Sequence, residues 1–289
     1  MFSYRHAFHA GNHADVLKHL TLIATLKHLM HKDAGIQFVD THAGAGLYRL
    51  DGDYAAKSGE AAEGVLKLLN LKGPAALTDY LEMVAGFNTK GSSKIYPGSP
   101  FIIHKLLRHE ARDRLKLFEL HPKSLAGNVQ QLEAGRTVSV ARADGFESLK
   151  ALLPPPVSSS GSRRTCVLID PSYEIKNDYY RVLDCIQDSL TRFATGTYIV
   201  WYPIVPRPEA HDLPRKLKTL CSQSKKPWLH ATLAIGRKTG GNDTGLSASG
   251  MFLINPPFTL KPLLNEALPV VEEALARGPG RGWTVESGG

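Results

Sequence analysis

Residues 36–46 read IQFVDTHAGAG. Ile36, Phe38 and Val39 make a short β-favouring run that stops at Asp40, and Gly44 and Gly46 follow within six residues. An apolar strand followed by glycines lets the backbone turn tightly and approach a ligand closely, as α/β sheets do at their binding edge. The third position of a full GxGxxG is filled by Arg49, which argues against a nicotinamide dinucleotide. A glycine pair after a strand also serves an ordinary tight turn, so the meaning of this one rests on its surroundings.

Those surroundings alternate. Further strand-like runs are LKLFEL (115–120), TVSVA (137–141), CVLID (166–170), TYIVWY (197–202), LHATLAI (229–235) and MFLIN (251–255). Helical patterns fall near 13–31, 146–152, 178–192, 208–222 and 261–277. Strands alternating with helices predict an α/β fold with a parallel, Rossmann-like sheet of seven strands. The last two strands are separated only by the glycine-rich GRKTGGNDTGLSASG and are expected to form an antiparallel hairpin on that sheet.

Gly46 and Glu119 are 73 residues apart, against roughly 20 between a glycine turn and the next strand's acid in a simple unit. An inserted helical subdomain over 48–95, carrying AAEGVLKLLN and LTDYLEMVAGF, accounts for the excess and leaves 1–47 and 96–289 as the main domain. After it, in YPGSPFIIHKLL, Ser99 is expected to cap a helix with Pro100 in the first turn. The stretch LLPPPVSSSGSRR (152–164) has the composition of a flexible loop. In helix 13–31 the apolar residues are expected to cover one face of the sheet.

The 289 residues are 43% hydrophobic, enough for a sizeable core. No run of about 18 apolar residues occurs, and MFSYRHAFHAGNH lacks the apolar stretch of a signal peptide, so a cytoplasmic location without membrane association is expected. Cys166, Cys185 and Cys221 form neither a pairing framework nor a CxxC and read as packing residues. The net charge of +8 favours an anionic partner, by the release of counterions from phosphates.

The chemistry gathers at strand ends. Glu119 ends the second strand, and its two carboxylate oxygens suit a ribose diol. Asp144, in ARADGF, follows the third. With the glycine turn, these acids describe a site for a nucleoside cofactor, although each acid alone could be an exposed loop residue. In VLIDPSYEI (167–175), Asp170 closes the fourth strand beside the cofactor's reactive end. The exocyclic amine of a nucleobase is a poor nucleophile because its lone pair is delocalised into the ring. Hydrogen bonds from its two protons to Asp170 and to the carbonyl of Pro171 would localise that pair, and Tyr173 can stack on the base.

A strand followed by Asp-Pro-x-Tyr, behind a glycine turn, resembles the methyltransferases that act on adenine N6. The resemblance narrows over SYRHAFHAGNHADVLKH (3–19), DTHAGAG (40–46), YPGSP (96–100), ELHP (119–122), ADGF (143–146), RFATG (192–196), WYP (201–203) and ASGMFLINPP (248–257). On these stretches the chain is similar to the RlmJ family, which methylates N6 of one adenine in large-subunit ribosomal RNA with S-adenosylmethionine. The resemblance implies cofactor contacts for His19, His42, Ser99, Glu119, Asp144 and Gly145. It makes Asp170 the acceptor of the amine's hydrogen bond or proton, and puts Tyr4, His6 and Lys18 near the RNA or the reacting atoms. Its implied substrate is ribosomal RNA, naked or in an early assembly intermediate, met by a monomer.

Position 172 is Ser where the family motif usually has a second proline, so the turn is expected to be less stiff around an active site that still works. INPPF (254–258) matches the general amino-methyltransferase pattern better, but it ends the seventh strand, across the sheet from the glycine turn, and reads as a sheet terminator. His6, His9, His13 and His19 lack cysteine or defined carboxylate partners, so no metal site is expected. The rival readings are a DNA adenine methyltransferase and a nucleic-acid-binding protein without catalysis.

Overall fold

A computed structural model of the chain describes residues 6–52, 58–125, 127–158, 161–237 and 245–289. Its strands are β1 (Gln37–Asp40), β2 (Leu47–Arg49), β3 (Ile95–Pro97), β4 (Arg114–Phe118), β5 (Val138–Ala141), β6 (Thr165–Ile169), β7 (Thr197–Pro203), β8 (Trp228–Ile235), β9 (Ala248–Ile254) and β10 (Arg281–Gly288). Its helices are α1 (His13–Leu29), α2 (Val65–Leu68), α3 (Ala75–Ala85), α4 (Ser99–Leu106), α5 (Pro122–Leu125), α6 (Gly145–Leu152), α7 (Asn177–Arg192), α8 (Pro208–Ser224) and α9 (Leu260–Leu275).

The central sheet runs β10-β8-β9-β7-β6-β1-β4-β5. The run β7-β6-β1-β4-β5 is parallel, with Asp40 opposite Leu117 on one side and Leu168 on the other. Such strands are covered by helices on both faces and read as unbroken apolar runs. In β6, Cys166 and Leu168 enter the core shared with α1, α3, α4 and α9, whereas Val167 and Ile169 enter the one under α6, α7 and α8. The expected Rossmann-like sheet is present, with β9 antiparallel between β7 and β8. An eighth strand, β10, extends it antiparallel to β8.

The excursion between Gly46 and Glu119 is closed at its base by the ribbon β2/β3, with Leu47 opposite Pro97 and Arg49 opposite Ile95. Val65 and Leu68 of α2 and Leu77, Tyr80 and Val84 of α3 enter the same core as α1.

Helix α1 departs from the one-faced expectation, because every residue from His13 to Leu26 is buried. It lies between the sheet and α3, α4 and α9, so its polar residues must find partners inside the protein. Helix α4 starts one residue earlier than expected. Gly98 is its cap, with its N–H donating to the Gly46 carbonyl, and the Ser99 hydroxyl is drawn away to Asp40. Among the described residues no helix is long and apolar enough to cross a membrane.

Candidate active site

The carboxyl ends of β1, β4, β5 and β6 meet along one edge of the sheet. Asp40 is fully buried there, accepting the Ser99 hydroxyl at 2.6 Å and the backbone N–H of His42 at 3.1 Å. Burial pushes its carboxyl up to about 6, against the pull of those two bonds. Gly44 and Gly46 turn with φ of +62° and +91°, and a Cβ on Gly46 would lie 2.6 Å from the Phe101 ring. Glu119 fixes the far side of the turn, accepting the N–H of Gly44 at 2.8 Å and that of His121 at 2.6 Å. Burial raises its carboxyl despite both bonds.

Asp144 caps α6, accepting from the N–H groups of Phe146 and Glu147, and its other oxygen pairs with Arg181 at 2.6 Å. Burial opposes its charge, but Arg181 and the two amides outweigh it and hold the carboxyl below the usual range. Gly145 opens α6 against the turn after β1, and a Cβ there would overlap the Thr41 carbonyl oxygen. The glycine is therefore required by a close backbone approach, whatever binds beside it.

Two histidines complete this wall. His42 contacts the Thr41 hydroxyl at 2.8 Å and meets the Phe146 ring edge-on, and burial lowers it to about 4. His19 engages the Tyr96 hydroxyl through Nδ1 at 2.7 Å, and Tyr96 in turn contacts Tyr80 at 3.1 Å, so the excursion after Gly46 pins this ring. Burial lowers His19 to about 3, and its Nε2 is buried without a hydrogen-bond partner.

These groups enclose a cavity of about 640 Å³ lined by His19, His42, Gly44, Ser99, Glu119, Asp144, Gly145, Asp170 and Pro171. Gly46 is not in its lining and acts through the path it gives the backbone. A second cavity of about 420 Å³ is lined by aromatic side chains, Tyr173, Tyr179 and Trp201, together with His9, Asp15 and Arg207. His6, Lys18, Asp170 and Ser172 line both cavities, which therefore meet at the end of β6.

At that junction the Lys18 ammonium lies between two carboxylates, 2.9 Å from Asp15 and 2.6 Å from Asp170. Burial opposes its charge, yet the two acids outweigh it and hold the ammonium well above its usual pKa. Burial raises the Asp170 carboxyl in spite of Lys18. His6 bonds Asp15 at 2.9 Å. Tyr173 adopts φ +53°, which is uncommon for a bulky residue and concentrated at functional turns. Its ring packs 4.5 Å from that of Tyr179, and its hydroxyl donates to the Trp201 carbonyl at 2.7 Å. Tyr4 lies outside the described residues.

INPPF falls at the other end of the sheet. Strand β9 runs antiparallel to β7, so Asn255 reaches the amino end of the parallel strands, where its amide donates to the carbonyls of Ala194 and Gly196. The N-terminal histidines go separate ways: His9 bonds Glu60, and burial lowers His13 to about 4. Sequence reasoning missed Asp15, Asp40, Arg181 and Trp201. Asp15 stands three residues before Lys18 on one helix, a spacing that brings side chains together. Asp40 ends the strand that feeds the glycine turn.

A family model described as "Ribosomal RNA large subunit methyltransferase D, RlmJ" matches residues 33–287. The "Ribosomal RNA large subunit methyltransferase J" of Escherichia coli is 41% identical over 276 residues, covering 95% of this chain and 94% of its own. Its namesake in Haemophilus influenzae is 40% identical over 288 residues, covering 99% and 98%. A Legionella pneumophila protein of known crystal structure superposes with a TM-score of 0.82 at 33% identity, over 97% of this chain and 98% of that one.

Proposed function

Because the chain belongs to the RlmJ family of large-subunit ribosomal RNA methyltransferases, we propose that it transfers the methyl group of S-adenosylmethionine to N6 of an adenine in 23S ribosomal RNA. The observation that carries this reading is the junction at Asp170, one carboxylate shared by a polar cavity and an aromatic one.

The polar cavity fits the cofactor. It offers carboxylates to hydroxyl and amine donors at Glu119, Asp144 and Asp178, and the buried unpartnered Nε2 of His19 lies in its wall. Both oxygens of Glu119 already hold backbone amides, which orients them, and each has a lone pair left for a ribose hydroxyl. His19, His42, Gly44, Ser99, Glu119, Asp144 and Gly145 would hold the cofactor, with Gly46 shaping the turn behind. The cofactor supplies an activated methyl group on its sulfonium.

The aromatic cavity suits an adenine taken out of its stack. Tyr173, braced by Tyr179 and by the Trp201 carbonyl, presents a ring to the base. Asp170 accepts a hydrogen bond from the amine and then its proton, and the Pro171 carbonyl accepts the second N–H. The lone pair left on nitrogen is thereby aimed at the methyl group, and the rate comes from positioning and from this polarisation. His6 and Lys18 line the wall shared by the two cavities, beside the incoming base. Ser172, exposed on the same wall, leaves the acceptors on either side of it in place.

The substrate is protein-free RNA or an early assembly intermediate, and the enzyme works as a monomer. The charge of +8 suits it to RNA. Labelled methyl transfer to protein-free 23S RNA from cells lacking this gene, competed with duplex and single-stranded DNA, tests the reading. One N6-methyladenosine in the RNA is expected; preference for DNA, or cofactor binding without transfer to any nucleic acid, refutes it.

A further inference from the structure

Asp170 meets an incoming amine with one of its two oxygens already engaged and its charge offset. Its Oδ2 is 2.6 Å from the Lys18 ammonium, which occupies the oxygen and neutralises the charge that would polarise the incoming nitrogen. Lys18 is buried, and an ammonium withdrawn from its carboxylate inside a protein needs another anion to go to.

Asp15 is that anion. It is 1% exposed, one turn before Lys18 on α1. Its two oxygens have divided their work: Oδ2 accepts the Gly11 N–H at 2.9 Å and bonds His6 at 2.9 Å, while Oδ1 faces Lys18 at 2.9 Å. Burial opposes its charge, but His6 and Lys18 outweigh it, so the carboxyl stays ionised well below the usual range. The ring of Trp201, 5.7 Å from the ammonium, offers a cation–π surface beside the same path.

We propose that Asp15 is a positioning residue that takes over the Lys18 ammonium when the target base arrives, releasing Asp170 to the amine. The exchange keeps the ammonium on an acceptor it already contacts, while Asp170 trades its cation for the amine's N–H. This inference rests on the assignment of Asp170 as the amine's acceptor.

Asp15→Asn keeps the shape and removes the charge, leaving Lys18 bound to Asp170. The maximal rate should fall ~10- to 100-fold, as small misplacements in an active site do, with the dissociation constant of S-adenosylmethionine unchanged within ~3-fold. In a Lys18→Met background the same substitution should change the rate by less than ~3-fold, because the group it acts through is gone. A rate for Asp15→Asn equal to that of the wild type, or an undiminished further loss in the Lys18→Met background, overturns the proposal; the latter would place Asp15 in the fold or behind His6. If Asp15→Asn does not fold, the wild-type enzyme decides. In a crystal structure with S-adenosylhomocysteine and an adenine-containing oligonucleotide, Lys18 should sit ~3 Å from Asp15 and out of bonding distance of Asp170. Lys18 still on Asp170 with the amine bound there refutes the exchange; an amine bound away from Asp170 refutes the assignment beneath it.

Discussion

Replacing Asp40 by Asn should stabilise this protein at alkaline pH and cease to do so in acid. Asp40 is completely buried, and its carboxyl rises from an ordinary 3.8 to about 6. At 1.36 kcal/mol per pKa unit, holding the ionised form in the fold costs ~3 kcal/mol above pH 6. The sign follows from the direction of the shift. A carboxyl with a raised folded-state pKa contributes stability that is full below pH 3.8 and lost as pH climbs through about 6. Asn carries no such charge. It can still accept the His42 N–H, but the Ser99 hydroxyl must change from donor to acceptor, which returns ~1 kcal/mol. The net gain is ~2 kcal/mol at pH 8, or roughly 3 °C in Tm for a chain of this length. Thermal unfolding of both proteins at pH 8, 6 and 4 measures it, with the advantage shrinking to nothing or reversing at pH 4. An Asn variant that is less stable at pH 8, or whose advantage is the same at every pH, would refute the reasoning.

Lys18→Met strands the buried carboxylates of Asp15 and Asp170, so it should lower stability by ~3 kcal/mol and methyl transfer by at least ~100-fold, read by thermal unfolding and single-turnover assays. Gly46→Ala puts a Cβ into the Phe101 ring at a φ of +91°, and should cost ~2 kcal/mol and weaken cofactor binding at least ~10-fold by calorimetric titration. RNA affinity should fall steeply and linearly with the logarithm of salt concentration in filter binding while cofactor affinity hardly moves, because only the former releases phosphate counterions.

The parallel half of the sheet was legible because strands buried on both faces are apolar without interruption, as in CVLID and TYIVWY. Strand β10 was not, since RGWTVESG lies at an edge, partly exposed, with glycines and an acid where a buried strand would have apolar residues. The β2/β3 ribbon is only three residues to a side, too short to carry a pattern. At the site, Asp170, Glu119 and Asp144 could be found because each follows a recognisable strand. Asp15 could not, because an acid near the start of a helix is ordinarily explained by the helix dipole. Its role depends on Asp170, 155 residues away in sequence, coming within reach of the same lysine. Arg181 likewise looks like a solvent-facing residue of α7 until that helix is packed beside α6, where it meets Asp144 and lies over the Phe146 ring.

The central claim is that Asp170 acts on the target amine and not on the cofactor. Asp170→Ala, assayed with protein-free 23S RNA and titrated in parallel with S-adenosylmethionine, tests it most directly. Methyl transfer should fall ~1,000-fold or more, while the cofactor's dissociation constant stays within ~3-fold of the wild type. Transfer at the wild-type rate, or a loss explained wholly by failure to bind the cofactor, would contradict it.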